Sequence, residues 1–192
     1  MPPKCRFTRE EIIQAALDLT AEKGVGALTA RGLAQRLGSS AKPIFGLFAN
    51  MEEVQQEVVK AANLRYQEYL RQDMSAGRYP PYKASGMAYI RFAREQKELF
   101  KLLFMRDRTH EEKAAGDELE VLLGLIQKSM GLSRDDAYRF HLEMWIYVHG
   151  IATMIATAYL EWDMDFISAA LTDAYQGLRL RFLPKETEGE RK

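Results

Sequence analysis

The chain has 192 residues, 47% hydrophobic and 28% charged, with 27 basic and 27 acidic side chains. That is enough apolar material for one large domain, or a small domain joined to a larger one, and the balanced charge excludes a globally basic binder. Cys5 is the only cysteine, which excludes a disulfide framework and a cysteine-based zinc site. The N-terminus lacks the apolar run of a secretory signal. The most apolar stretch, Met144 to Leu160, is broken by His149 and is shorter than the ~20 residues of a membrane span. A soluble, cytoplasmic protein with no membrane association is expected.

Taken in order, the first helix is announced by a capping box at Thr8 and Glu11, stapled by Phe7 and Ile12. Its stripe is Ile12, Ala16 and Leu19, and Gly24 ends it. The basic residues Lys4, Arg6 and Arg9 are placed to reach a phosphate strand or a minor groove. Residues 1–48 hold seven basic residues against four acidic ones, the sign a phosphate backbone selects.

Thr29 caps a second helix striped by Leu33, Ala34 and Leu37, and Gly38 supplies the positive φ of a helix end. Ser39 or Ser40 is expected to cap a third helix carrying Ile44, Leu47 and Phe48. Lys42 before Pro43 is awkward for α geometry, so this helix should be short, starting between Ser40 and Pro43. Two helices turned about one glycine are the layout of a helix-turn-helix, whose second helix enters the DNA major groove.

Asn50 and Glu53 open a long helix through Val54, Val58, Ala61 and Tyr69 to about Asp73. Ser75 to Pro81 is a turn-rich break. Helices follow over Tyr82–Glu95 and Lys97–Met105. After a charged connection, a clean stripe of Leu119, Leu122, Leu123, Ile126 and Met130 ends at Gly131. Ser133 and Asp136 open the longest helix, to about Leu160. Asp165 is expected to cap the last one, with Pro184 as its stop. The chain reads as all-α, with about nine helices. We expect residues 1–50 to be a helix-turn-helix DNA-binding domain and residues 51–192 an effector-binding and dimerisation domain.

Thr29, Ala34, Gly38, Phe45, Phe48 and the segment Asn50–Met51–Glu52–Glu53 together resemble the TetR family of transcriptional regulators. The resemblance implies a regulator, an effector-responsive repressor, that binds double-stranded DNA at a palindromic operator as a homodimer. It also marks departures. The family's phosphate-donating Tyr, His and Lys are replaced by Phe45, Leu47 and Met51, each loss removing about one counterion from the salt dependence. A helical ligand-binding or interaction protein with a degenerate helix-turn-helix is the alternative. The expected DNA-facing residues are Thr29 and Arg31 at phosphates, Ser39, Ser40 and Lys42 at base edges, and Pro43 or Phe45 at a thymine methyl, with Leu47 beside them.

TetR-like proteins dimerise through their last two helices and hold an effector in the C-terminal bundle. Met144, Val148, Ile151, Ile155 and Trp162 are expected to meet a partner together with Ile167, Leu171, Ala174 and Leu178 of the final helix. Tyr89, Phe92, Phe100, Phe104, His141, Trp145 and His149 form a polar-tipped aromatic set suited to a small apolar or aromatic effector. The only histidines are His110, His141 and His149. They form no His-Glu-x-x-His pair, and neither a phosphate-binding glycine loop nor a nucleophile–base pair is present. No enzyme activity, cofactor or metal is expected.

Overall fold

A computed structural model describes residues 7–107 and 117–182. Expectations at Lys4, Cys5, Arg6, His110 and Pro184 lie outside the described residues. Those residues form nine α-helices and no strand. They are α1 (Arg9–Lys23), α2 (Ala30–Arg36), α3 (Lys42–Phe45), α4 (Met51–Ser75), α5 (Pro81–Glu95), α6 (Lys97–Phe104), α7 (Asp117–Met130), α8 (Arg134–Ala156) and α9 (Met164–Phe182). A short 3-10 turn, Val25–Ala27, joins α1 to α2. No described helix is long and apolar enough to cross a membrane.

The helix starts are local chemistry. Thr8 Oγ1 accepts from the Glu11 N–H while the Glu11 carboxylate accepts from the Thr8 N–H, closing the capping box. Thr29 caps α2 through the Gly32 N–H, and Asn50 caps α4 through the Glu53 N–H. Gly38 sits at φ +58°, with Ser39 N–H donating to Ala34 O and Gly38 N–H to Gln35 O. Those two bonds are the Schellman pair that turns α2 into α3. At Gly32 a Cβ would stand 2.5 Å from the Ala27 carbonyl oxygen, so only glycine lets α2 approach the preceding turn this closely.

Three starts or ends differ from expectation. Neither Ser39 nor Ser40 caps α3. The Ser39 hydroxyl donates to Ser40 O, its N–H is committed to Ala34 O, and Ala41 occupies the N-cap with no side-chain bond. Pro43 removes one of the N–H groups a cap would otherwise serve. Asp163, not Asp165, caps α9, accepting from the Phe166 N–H at 2.7 Å. Helix α8, expected to be the longest, has 23 residues against the 25 of α4. It stops at Ala156, short of Leu160, because Ala158 takes φ +55° and Tyr159 N–H closes onto Met154 O. This is the same terminal motif as at Gly38, built on an alanine.

The stripe of α4 also differs. Its buried residues are Val54, Val58, Ala62, Tyr66 and Leu70, not the straight line through Ala61 and Tyr69, which are half-buried. Each step of four advances about 40° around a helix of 3.6 residues per turn, so the stripe rotates by roughly 160° along its length. Its first half therefore faces α1, and its second half faces α5. Ile12, Leu33, Ile44, Phe48 and Val54 form the closed interior of the N-terminal unit. Gly86 of α5, whose Cβ would meet Val148 at 3.4 Å, lets α5 lie close along α8.

The two αL positions make opposite expectations. Gly38→Ala should cost about 1 kcal/mol, since space is free there and only the left-handed backbone resists a side chain. Ala158→Gly should gain up to about 1 kcal/mol by removing that strain. Urea denaturation of both variants measures this; changes of the same sign would contradict it.

Candidate nucleic-acid interface and effector pocket

The helix-turn-helix presents Thr29, Arg31, Ser40, Lys42 and Phe45 as exposed residues, with Ser39 and Pro43 half-buried beside them. Arg31 and Lys42 make no ion pair among the described residues. Leu47 is half-buried and packs on the core, so it lies outside this exposed set. Met51 packs in the same way.

Two other cations of the unit, Arg9 and Arg36, are committed internally. Arg9 does not extend as a basic tail. Its guanidinium donates to Leu47 O at 2.9 Å and to Glu53 Oε1 at 2.8 Å, and lies 4.2 Å from the centre of the Phe48 ring. Glu53 in turn accepts from the Ala49 N–H at 2.7 Å. That backbone bond first, and Arg9 second, hold the Glu53 carboxyl below its usual range. Arg36 is tied across to Glu22 of α1. Arg31 and Lys42 are thus the cations of α2 and α3 left for an external anion.

The second feature is a cavity of about 820 Å³ bounded by α4, α5, α7, α8 and α9. Tyr89, Phe104, His141 and Trp145 line it. Phe92 and Phe100 do not, being fully buried in the core at 0% exposure. His149 stands just behind: its ring stacks on Trp145 at 4.8 Å and 13°, and its Nδ1 lies 2.9 Å from the Tyr89 hydroxyl. Tyr82 repeats that pairing with His141 Nδ1 at 3.1 Å.

Sequence reasoning missed Tyr66, Tyr82, Lys83, Glu118 and Tyr175 as lining residues. The signals were present in part: Tyr82 and Tyr89 lie seven apart on α5, and His141 and His149 eight apart on α8, so both pairs recur along neighbouring helices.

The expected dimer residues sit inside the chain. Met144, Val148, Ile151, Ile155, Ile167 and Leu171 are buried against their own subunit, and Trp162, Ala174 and Leu178 are half-buried in its two clusters. A partner could reach the buried set only by opening that core, so it cannot form an external face. The exposed stripes are Leu142 and Ile146 on α8, nearly opposite Met144, and Phe166, Ala169, Asp173, Gly177 and Leu180 on α9.

Residues 12–58 match the family model described as bacterial regulatory proteins, tetR family, and residues 82–175 match the tetracyclin repressor-like C-terminal domain. The chain belongs to the TetR family. It is a TetR-like DNA-binding transcriptional regulator. Comparison with curated proteins gave no match.

In this TetR-family cavity the titratable groups are shifted toward neutrality. Burial lowers the pKa of both His141 and His149 from the usual 6.5. Burial, and secondarily Tyr175, raises that of the Tyr82 phenol. A neutral His141 accepts from the Tyr82 hydroxyl at Nδ1 and keeps its proton on Nε2. Burial also raises the Glu118 carboxyl, against the opposing effect of the hydrogen bond from Tyr66 at 3.4 Å.

The histidines set a pH dependence. Both are depressed in the folded state, so the unfolded chain takes up protons first as pH falls. Their contribution is intact above the unfolded value of 6.5 and declines as pH drops from there through the folded values. His141→Gln, which keeps an acceptor for Tyr82, should flatten the fall in melting temperature between about pH 6.5 and 5. An unchanged slope would show that His141 is not desolvated.

Proposed function

We propose that the protein is a ligand-responsive repressor that binds a palindromic operator as a homodimer. The observation that carries DNA reading is the division of charge on the helix-turn-helix: Arg9 and Arg36 are paired internally, while exposed Arg31 and Lys42 are not. In this reading Thr29 and Arg31 contact phosphates, while Ser39, Ser40, Lys42, Pro43 and Phe45 face base edges. Residues 1–50 form the DNA-binding unit and 51–192 the effector and dimer unit. Recognition helices in a twofold dimer sit about one turn of DNA, ~34–36 Å, apart.

Two observations support the regulatory half. Tyr66 of α4 lines the cavity while Val54 and Val58 of the same helix close the N-terminal core, so an occupant can bias the DNA-binding unit's position. The dimer forms through the exposed stripes of α8 and α9, where Gly177 has nothing near its Cβ position and allows close approach. Both stripes are apolar at Leu142, Ile146, Phe166 and Leu180.

Gel shift and anisotropy titrations on the DNA flanking its own gene test this. Arg31→Ala and Lys42→Ala should each weaken binding and lower the salt slope by about one counterion. Arg9→Met should lower the melting temperature and leave the salt slope unchanged, which separates an internal brace from a phosphate contact. Ile146→Glu should yield monomers by analytical ultracentrifugation and abolish operator binding. Absence of salt-sensitive, sequence-dependent binding would favour a ligand-binding protein with a degenerate helix-turn-helix, the reading that Phe45, Leu47 and Met51 support.

A further inference from the structure

Among the described residues lining the cavity, apart from its imidazole, Lys83 and Glu118 are the two ionisable groups of opposite sign, and they sit on opposite flanks. Glu118 lies on the α4–α7 side. Its carboxyl accepts from Tyr66, and burial draws it toward the neutral form. Lys83 lies on the α5–α9 side. Its ammonium donates to Thr172 Oγ1 at 2.7 Å and stands 4.9 Å from the Tyr79 ring centre.

Lys83 makes no ion pair among the described residues. Thr172 spends its own proton on Ser168 O at 3.0 Å, so toward Lys83 it is an acceptor and leaves two ammonium N–H groups unused. Gln176, one turn further along α9, brings an amide to the same flank of the cavity. The first turn of α5 contains no acidic residue to neutralise the lysine. Between the flanks the lining is apolar, from Met144, Val148 and Leu171.

We propose that the cavity takes an apolar carboxylate, with its anionic head on the ammonium of Lys83 and its hydrocarbon or aryl body along Met144, Val148 and Leu171. This names the effector class of the cavity and rests on its reading as a ligand site. A cationic effector would have to seat its charge beside an unpaired ammonium or on a carboxyl already drawn toward neutrality. A neutral effector would leave Lys83 without an ion-pair partner. A carboxylate supplies the missing partner through charge-assisted hydrogen bonds.

Isothermal titration of the full-length protein with octanoate, octylamine and octanol separates head from body. Octanoate should bind about tenfold or more tightly than octanol, and octylamine most weakly. Lys83→Met should erase the advantage of octanoate while leaving octanol affinity unchanged, and Lys83→Arg should retain it. Melting temperatures of both variants verify that they are folded. If octanol or octylamine binds as well as octanoate, or if Lys83→Met keeps the preference, the carboxylate assignment fails while the cavity remains a ligand site. If none of the three binds, both fall.

Discussion

One helix is shared between the two halves of the molecule, and the rest of the structure is arranged on it. The 25 residues of α4 span roughly 37 Å at 1.5 Å per residue. The rotating stripe from Val54 to Leu70 seals the N-terminal core at one end and packs on α5 at the other. Burying large apolar side chains contributes about 1.5–3 kcal/mol each, so α4 cannot tilt at one end without disturbing well-packed side chains at the other. A two-state response in the proposed regulator needs such an element, because packed interfaces switch between arrangements and do not deform continuously.

Arg9 fixes how the N-terminal unit meets that helix. An exposed ion pair is worth little in stability, and the strength of the unit comes from Ile12, Leu33, Ile44, Phe48 and Val54. Arg9 contributes direction. It satisfies the Leu47 carbonyl just past α3, stacks on Phe48 and meets Glu53, which also holds the Ala49 N–H. The corner from α3 into α4 is thereby specified by the Leu47 carbonyl, the Phe48 ring and the Glu53 carboxylate gathered around one cation. The consequence for DNA is electrostatic: Arg9 and Arg36 are spent on internal carboxylates, and on α2 and α3 the exposed cations without an ion pair are Arg31 and Lys42.

What was legible in the sequence was what is decided locally. Capping boxes, the glycine turn at Gly38 and most helix boundaries depend on residues within four positions of one another, and the pattern of Thr29, Ala34 and Gly38 carried the family. The illegible parts were decided across the fold. Arg9 looks the same as a phosphate contact or as a brace until Leu47 and Glu53 are brought beside it. The end of α8 carries no glycine to mark it. On a helix apolar around much of its circumference, nothing local says which stripe meets the core. The expectation set Met144 to Ile155 and Ile167 to Leu178 against a partner, whereas the chain itself buries Met144, Val148, Ile151, Ile155, Ile167 and Leu171 and half-buries Ala174 and Leu178.

The burial of those residues within one chain changes how the proposed ligand and dimer surfaces relate. On α8, Ala152 and Ile155 are buried in the core, Met144, Val148, His141 and Trp145 line the cavity, and Leu142 and Ile146 point outward. One helix thus meets core, cavity and exterior, and α9 repeats the pattern with Ile167, Thr172 and Phe166. A group bound at Lys83 and Thr172 would press on a helix whose far side is the proposed twofold seam. Rotation of α8 or α9 about its axis moves all three faces together. In the proposed dimer, occupancy of the cavity would be linked to the spacing of two DNA-reading units by rigid helices, with no contact between the ligand and DNA.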